Sequence, residues 1–230
     1  MNNRAPIDER RLRYFIFEWC LAKERPPVIE ELMAGFSATR EECRQLLLSL
    51  ESQRLLVLLP GTDRILMAHP FSAIVTPFCA ATANRKRYFA NCAWDAIAFH
   101  VMLREDISIT SFCHHCGRTI DIELSDQAVG HASPVTTVVF LALPAAQWWK
   151  DVILSCSNTM VFFCSTEHQS EWSRQAGTPG GGAVLTIQQV ITLSIPIYRT
   201  KMALDYQRPS VAALRAHFAE MGLAGAFWDL

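Results

Sequence analysis

Cys92 and Asp95 stand three residues apart in the apolar run Tyr88-Phe89-Ala90-Asn91-Cys92-Ala93-Trp94-Asp95-Ala96-Ile97-Ala98-Phe99. A thiol and a carboxylate are costly to bury without a purpose. On a helix, positions i and i+3 share a face, so both groups can address one reacting centre. Asn91 is placed to cap such a helix, which would put Cys92 in the first turn, where the helix dipole favours thiolate. The pair offers a soft nucleophile beside a proton carrier. As an isolated spacing, however, CxxD more often marks a small buried thiol and a carboxylate satisfied by backbone, so the rest of the chain has to weigh in.

Eight cysteines fall at 20, 43, 79, 92, 113, 116, 156 and 164. In a reducing compartment they are free thiols, metal ligands or catalytic groups rather than a disulfide framework. Cys20 and Cys43 lie within apolar helical patterns and read as small core residues. Cys113-His114-His115-Cys116-Gly117 has the shape of a zinc knuckle, although no second CxxC or HxxxH follows to complete it. A redox CxxC would sit between a strand and a helix, whereas this one joins two strands. Cys156 is expected where a helix ends and a strand begins, exposed enough to react, with Trp148, Trp149 and Trp172 walling an apolar pocket. Cys164 and His168 follow in the same stretch, and His168 reads as a polar residue at a helix start.

The elements that position these groups follow from periodicity. Residues 8–22 carry Leu12, Phe15, Ile16 and Trp19 on one side of a helix. Pro27 opens a second short helix through Phe36, and Ser37-Ala38-Thr39 caps a third with Cys43, Leu46, Leu47 and Leu50 inward. Residues 55–59 and 64–68 flank Pro60-Gly61-Thr62-Asp63 as a hairpin. Three helices and a hairpin outline a winged-helix-like domain over residues 1–70. Beyond it, strands are expected at 74–75, 107–112, 119–124, 135–143, 160–163 and 184–187. Helices are expected around Cys92, at 148–155 and 167–175, and at the C-terminus. Thr178-Pro179-Gly180-Gly181-Gly182 is a loop. The fold class is therefore α+β, with a mixed α/β core over residues 71–230 built on a largely antiparallel sheet.

Composition bounds the function. Of 230 residues, 50% are hydrophobic and 19% charged, which describes a folded protein with ample core. The formal net charge of −1 disfavours a globally basic nucleic-acid binder. The third helix also sets Glu41, Glu42 and Glu51 among Arg40, Arg44 and Arg54, a poor phosphate partner. No apolar run is long enough to cross a bilayer, and the polar start Met1-Asn2-Asn3-Arg4 lacks a signal-peptide core, so a cytoplasmic location is expected.

Taken together, the segments Phe89-Ala90-Asn91-Cys92-Ala93-Trp94-Asp95, Ser111-Phe112-Cys113 and the Cys156…Phe162-Phe163…Trp172 block resemble the organomercurial lyase (alkylmercury lyase) family. Motifs are recognisable over about residues 70–195, and the N-terminal part matches by architecture. The resemblance implies that Cys92 and Cys156 are mercury-binding thiols and Asp95 the proton-handling carboxylate, with Cys113 supporting the fold. Mercury is soft and prefers two thiolates. The implied reaction is protonolysis of a carbon–mercury bond in a small organometallic substrate, needing no organic cofactor. Hg(II) would rest transiently on the thiolates until low-molecular-weight thiols or a mercuric-ion acceptor remove it. The Cys156-to-Phe162 gap is about one residue longer than in the family, so Cys164 rivals Cys156 as the second thiol. Two other readings of the same residues stay open at this level: a divergent thiol metal-binding protein holding zinc at Cys113 and Cys116, and a metal-responsive winged-helix regulator.

Overall fold

The computed structural model describes residues 7–177 and 181–230. The expected loop at 178–182 and the polar N-terminus fall partly outside that range.

The N-terminal elements form where their caps and apolar spacing direct. α1 (Glu9–Lys23) starts at Asp8, whose carboxylate accepts the Arg11 N–H at 2.9 Å, and it buries Leu12, Ile16 and Cys20 one turn apart. α2 (Ile29–Phe36) follows the proline pair, starting two residues after Pro27. In α3 (Arg40–Ser52), Thr39 and Glu42 satisfy each other's backbone N–H in a capping box, and Cys43, Leu47 and Leu50 face inward. β1 (Val57–Leu58) and β2 (Ile65–Ala68) make the expected hairpin around Gly61, whose φ of +76° suits glycine. β3 (Phe71–Ser72) adds a third antiparallel strand by pairing with β2. The strand expected at 74–75 does not form: Ile74 is 58% and Val75 78% exposed, in coil without ladder partners.

The core has two antiparallel sheets. β4 (Cys79–Thr82) and β5 (Arg87–Phe89) lead into α4 (Ala93–Leu103). β6 (Ile107–Phe112), β7 (Thr119–Ser125) and β8 (Ala128–Ser133) complete a sheet of order β5-β4-β6-β7-β8. β6 and β7 alternate strictly between buried and exposed residues, the mark of a sheet with one face on the core. The buried strand expected at 135–143 shortens to β9 (Val138–Leu141), and Val135 is 87% exposed. α5 (Val152–Asn158), β10 (Met160–Phe163), α6 (Thr166–Gln175) and β11 (Ala183–Thr186) follow, giving a second sheet of order β10-β9-β11. The helix expected from Trp148 starts later, because Asp151 caps it by accepting the Leu154 N–H and Trp148 instead ends a short 3₁₀ turn at Ala145–Gln147. α7 (Ile187–Tyr198) and α8 (Val211–Glu220) close the chain.

α4 is the centre of the molecule. Every residue from Ala93 to Met102 is buried, as befits a helix that is apolar all round. It packs on α7, β10, β4 and β6. Its small residues Ala93, Ala96 and Ala98 let these neighbours approach, and Trp94 donates its indole N–H to Ser194 of α7 at 2.9 Å. Phe71 joins the N-terminal elements to this core, with ring centroids 6.0 Å from Phe17 and 4.9 Å from Phe99. One hydrophobic cluster therefore runs across the expected boundary at residue 70.

Candidate active site

Cys92 is itself the N-cap of α4, with extended backbone (φ −157°) and a sulfur that accepts the Asp95 N–H at 3.4 Å. This corrects the expectation of Asn91 as cap, since Asn91 has other work. Its side-chain amide donates to Asp95 Oδ2 at 3.0 Å and to the carbonyl of Pro70 at 3.1 Å. Nδ1 of His69 lies 2.9 Å from the same carboxylate oxygen, and the Tyr198 hydroxyl donates to Oδ1 at 2.5 Å. Asp95, 1% exposed, is thus held by three side chains drawn from the β2–β3 connection, the start of α4 and the end of α7.

Cys156 arrives from the last turn of α5. It is 5% exposed rather than open to solvent, and its thiol lines the same pocket as that of Cys92. The Cys156 sulfur, an Asp95 oxygen and a His69 ring nitrogen lie within 4.8 Å of one another. Met160 places its thioether 3.9 Å from the Cys92 sulfur. The two thiols and the carboxylate share one pocket with Trp94, Trp148, Trp149, Val152 and Phe218. Trp148 and Trp149 take the expected places in its wall. Trp172 does not, because it packs against Phe140, Phe163 and His114 on the far side of β10.

The electrostatics assign resting protonation states. Burial pushes the Cys92 thiol well above its ordinary range, and contact with Cys156 and the charge of Asp95 push the same way. The Asp95 N–H opposes them weakly, so desolvation overrides the expected preference for thiolate at a helix start. For Asp95, burial raises the pKa, but the neighbouring His69 and the bonds from His69, Tyr198 and Asn91 outweigh it and hold the carboxyl below its ordinary range. The resting site is a protonated thiol facing an ionised carboxylate. Lys201, also lining the pocket, is buried with its ammonium 4.5 Å from the Tyr198 ring centroid.

The remaining thiols gather elsewhere. Cys113 and Cys116, on the turn between β6 and β7, meet Cys164 and His168 at the junction of β10 and α6. Burial would raise the Cys113 thiol, but backbone N–H groups of Cys116 and Cys164 and the His168 ring lower it to about 6. Cys20 and Cys43 are core residues, as expected. The polar partners His69, Tyr198 and Lys201 escape a reading of local spacing, since Tyr198 lies 103 positions from the carboxylate it bonds. The spacing of Cys164 and His168, a CxxxH, is a signal present in the sequence.

Comparison with known proteins gives this arrangement a class. The fold is that of the mercury-bound form of MerB2, matched with a TM-score of 0.66 at 18% identity over 87% of this chain and 94% of that one. The chain is 26% identical over 155 residues to the alkylmercury lyase of Staphylococcus epidermidis, covering 67% of this chain and 68% of that protein. It is equally 26% identical over 112 residues to the alkylmercury lyase of Bacillus cereus, where the match spans 49% of each chain. The sequence profile of the alkylmercury lyase family matches residues 71–199, and the chain belongs to that family. It is an enzyme of the class that cleaves carbon–mercury bonds.

Proposed function

We propose that this chain releases a hydrocarbon from a small organomercurial by protonolysis, with Cys92, Cys156 and Asp95 as the reacting groups. The observation that carries the proposal is a carboxylate held by three side chains that shares one largely apolar pocket with two buried thiols. R–Hg⁺ first replaces the proton of one thiol, forming a sulfur–mercury bond. Asp95 takes the proton of the second thiol, whose sulfur then also bonds mercury. Bis-thiolate ligation weakens the carbon–mercury bond. The proton on Asp95 passes to the departing carbon, which keeps the bonding electron pair and leaves as R–H. A carboxyl group whose pKa is depressed is a strong acid once protonated, so the same hydrogen bonds that ionise it at rest favour this transfer. Hg(II) remains on Cys92 and Cys156 until low-molecular-weight thiols or a mercuric-ion acceptor exchange with it, returning protons to both sulfurs. The aromatic walls suit an alkyl or aryl group.

Residues 1–70 we read as a winged-helix-like module that covers the pocket rather than binding DNA, with 71–230 as the catalytic core. The eight cysteines are free thiols, which supports a reducing, cytoplasmic setting. Among the described residues no helix is long and apolar enough to cross a membrane.

The test is incubation of thiol-reduced protein with methylmercury and phenylmercury, measuring methane and benzene. Hydrocarbon no faster than with free thiol would overturn the proposal. Cys92→Ser and Cys156→Ser are expected to abolish turnover. Asp95→Asn should slow hydrocarbon release by about 10²–10⁴-fold while both thiols still capture mercury.

A further inference from the structure

The geometry points to a second metal site, a closed Cys113–Cys116–Cys164–His168 centre for Zn²⁺, separate from the catalytic thiols and sharing no residue with them. The CxxC turn lacks a local second pair, but the fold supplies one. Cys164 is the last residue before the Ser165 cap of α6, and His168 sits in that helix's first turn. One sulfur from each of three cysteines and a ring nitrogen of His168 lie within 4.8 Å of one another. The Cys116 and Cys164 sulfurs are 3.9 Å apart, and the Cys113 sulfur is 3.5 Å from His168 Nδ1. Four ligands at tetrahedral angles on a zinc ion, with Zn–S bonds of about 2.3 Å and Zn–N bonds of about 2.0 Å, are separated by about 3.5–3.8 Å. The Cys113–His168 and Cys116–Cys164 pairs already stand close to that spacing, and no donor pair is farther apart than 4.8 Å.

The surroundings are those of a ligand cage. Gly117, with φ +72° and open space at its Cα, lets the chain reverse directly after Cys116. The backbone N–H of Cys164 points at the Cys113 sulfur at 3.3 Å, a contact that offsets the charge of a thiolate. His114 N–H donates to the Phe162 carbonyl at 3.0 Å, fixing the turn against β10. A thiol–disulfide pair would need only Cys116 and Cys164. It would not account for the convergence of Cys113 and His168 on the same point. Three thiolates and an imidazole in a tetrahedron favour zinc among the common divalent ions. Four protein ligands leave no open position, so the ion is structural and ties the β6–β7 turn to the β10–α6 junction. This inference stands independently of the carbon–mercury chemistry.

The test is metal analysis of the full chain purified under reducing conditions from zinc-replete medium, followed by replacement with Co²⁺. About one zinc per chain is expected, and the cobalt form should show the intense visible bands of a tetrahedral thiolate site. Cys116→Ser, at an exposed position, and His168→Ala should weaken retention on the order of 100-fold or more, beyond what loss of a supporting hydrogen bond does. His168→Cys should restore it, and Cys156→Ser should leave it unchanged. A reduced wild-type protein with neither zinc nor tetrahedral cobalt bands would overturn the inference. So would a Cys116–Cys164 disulfide in that protein, or metal that is lost in Cys156→Ser and kept in Cys116→Ser.

Discussion

In the proposed mechanism Asp95 is the proton carrier, and its neighbours decide where its proton rests. In an apolar site desolvation alone would neutralise it, and the proposed reaction would then lack an acceptor for the thiol proton. Tyr198, His69 and Asn91 reverse that balance. Tyr198→Phe removes one donor from a buried anion. It should cost about 1.5–3 kcal/mol of stability and raise the Asp95 pKa. Because the carboxylate form begins the proposed cycle, activity should fall as pH drops through that pKa. The acid limb of hydrocarbon release against pH should therefore move to higher pH in the variant. An unchanged acid limb would show that Asp95 does not govern proton uptake.

At the scale of elements, the site depends on α4 being surrounded and on the second sheet holding α5 against it. Gly182 shows how closely that sheet is packed. Its φ is +102°, and a Cβ there would fall 2.3 Å from the ring of Phe140 on β9. Gly182→Ala should destabilise the protein by about 1–3 kcal/mol, from backbone strain and displacement of Phe140. Denaturant titration checks it, and a change within error would mean that the β9–β11 end yields freely. Phe140 also touches Phe163 and Trp172, so the disturbance should reach β10, from which Met160 faces the Cys92 sulfur.

Across the whole molecule, α1 is tied to the segment that carries Lys201 into the pocket. Arg13 of α1 donates to the Lys201 carbonyl at 2.7 Å, so the N-terminal elements hold the segment after α7 in place. Lys201 titrates at about 7 instead of 10.5, because burial disfavours its charge; Arg208 and Arg13 reinforce that effect and Asp95 opposes it. Between about 7 and 10.5 the unfolded chain holds this proton while the folded chain does not, so stability rises with pH through that window. Cys92 runs the other way: its folded pKa is raised above 9.0, so its contribution is complete below that value and is lost as pH climbs through the folded pKa. Lys201→Met should flatten the rise of Tm from pH 7 to pH 9, each kcal/mol amounting to about 2–4 °C. A rise of the same steepness in the variant would place its origin elsewhere.

The sequence by itself determines what is local. The caps of α1 and α3, the alternation of β6 and β7, the CxxC turn and the Cys92–Asp95 spacing are legible because each is set within a few residues by backbone and side-chain geometry. The helix expected from Trp148 starts late because Asp151 caps it, whereas the strand expected at 74–75 fails for the complementary reason. Apolar residues predict an element only where a partner covers them, and Val75 has none. Only the tertiary structure decides which distant groups share a centre. Cys156 and Cys164 are close in sequence and compete for one role there. Between them β10 (Met160–Phe163) extends the chain by about 13 Å at roughly 3.3 Å per residue. It thereby delivers Cys156 to Cys92 and Asp95 at one end, and Cys164 to Cys113, Cys116 and His168 at the other.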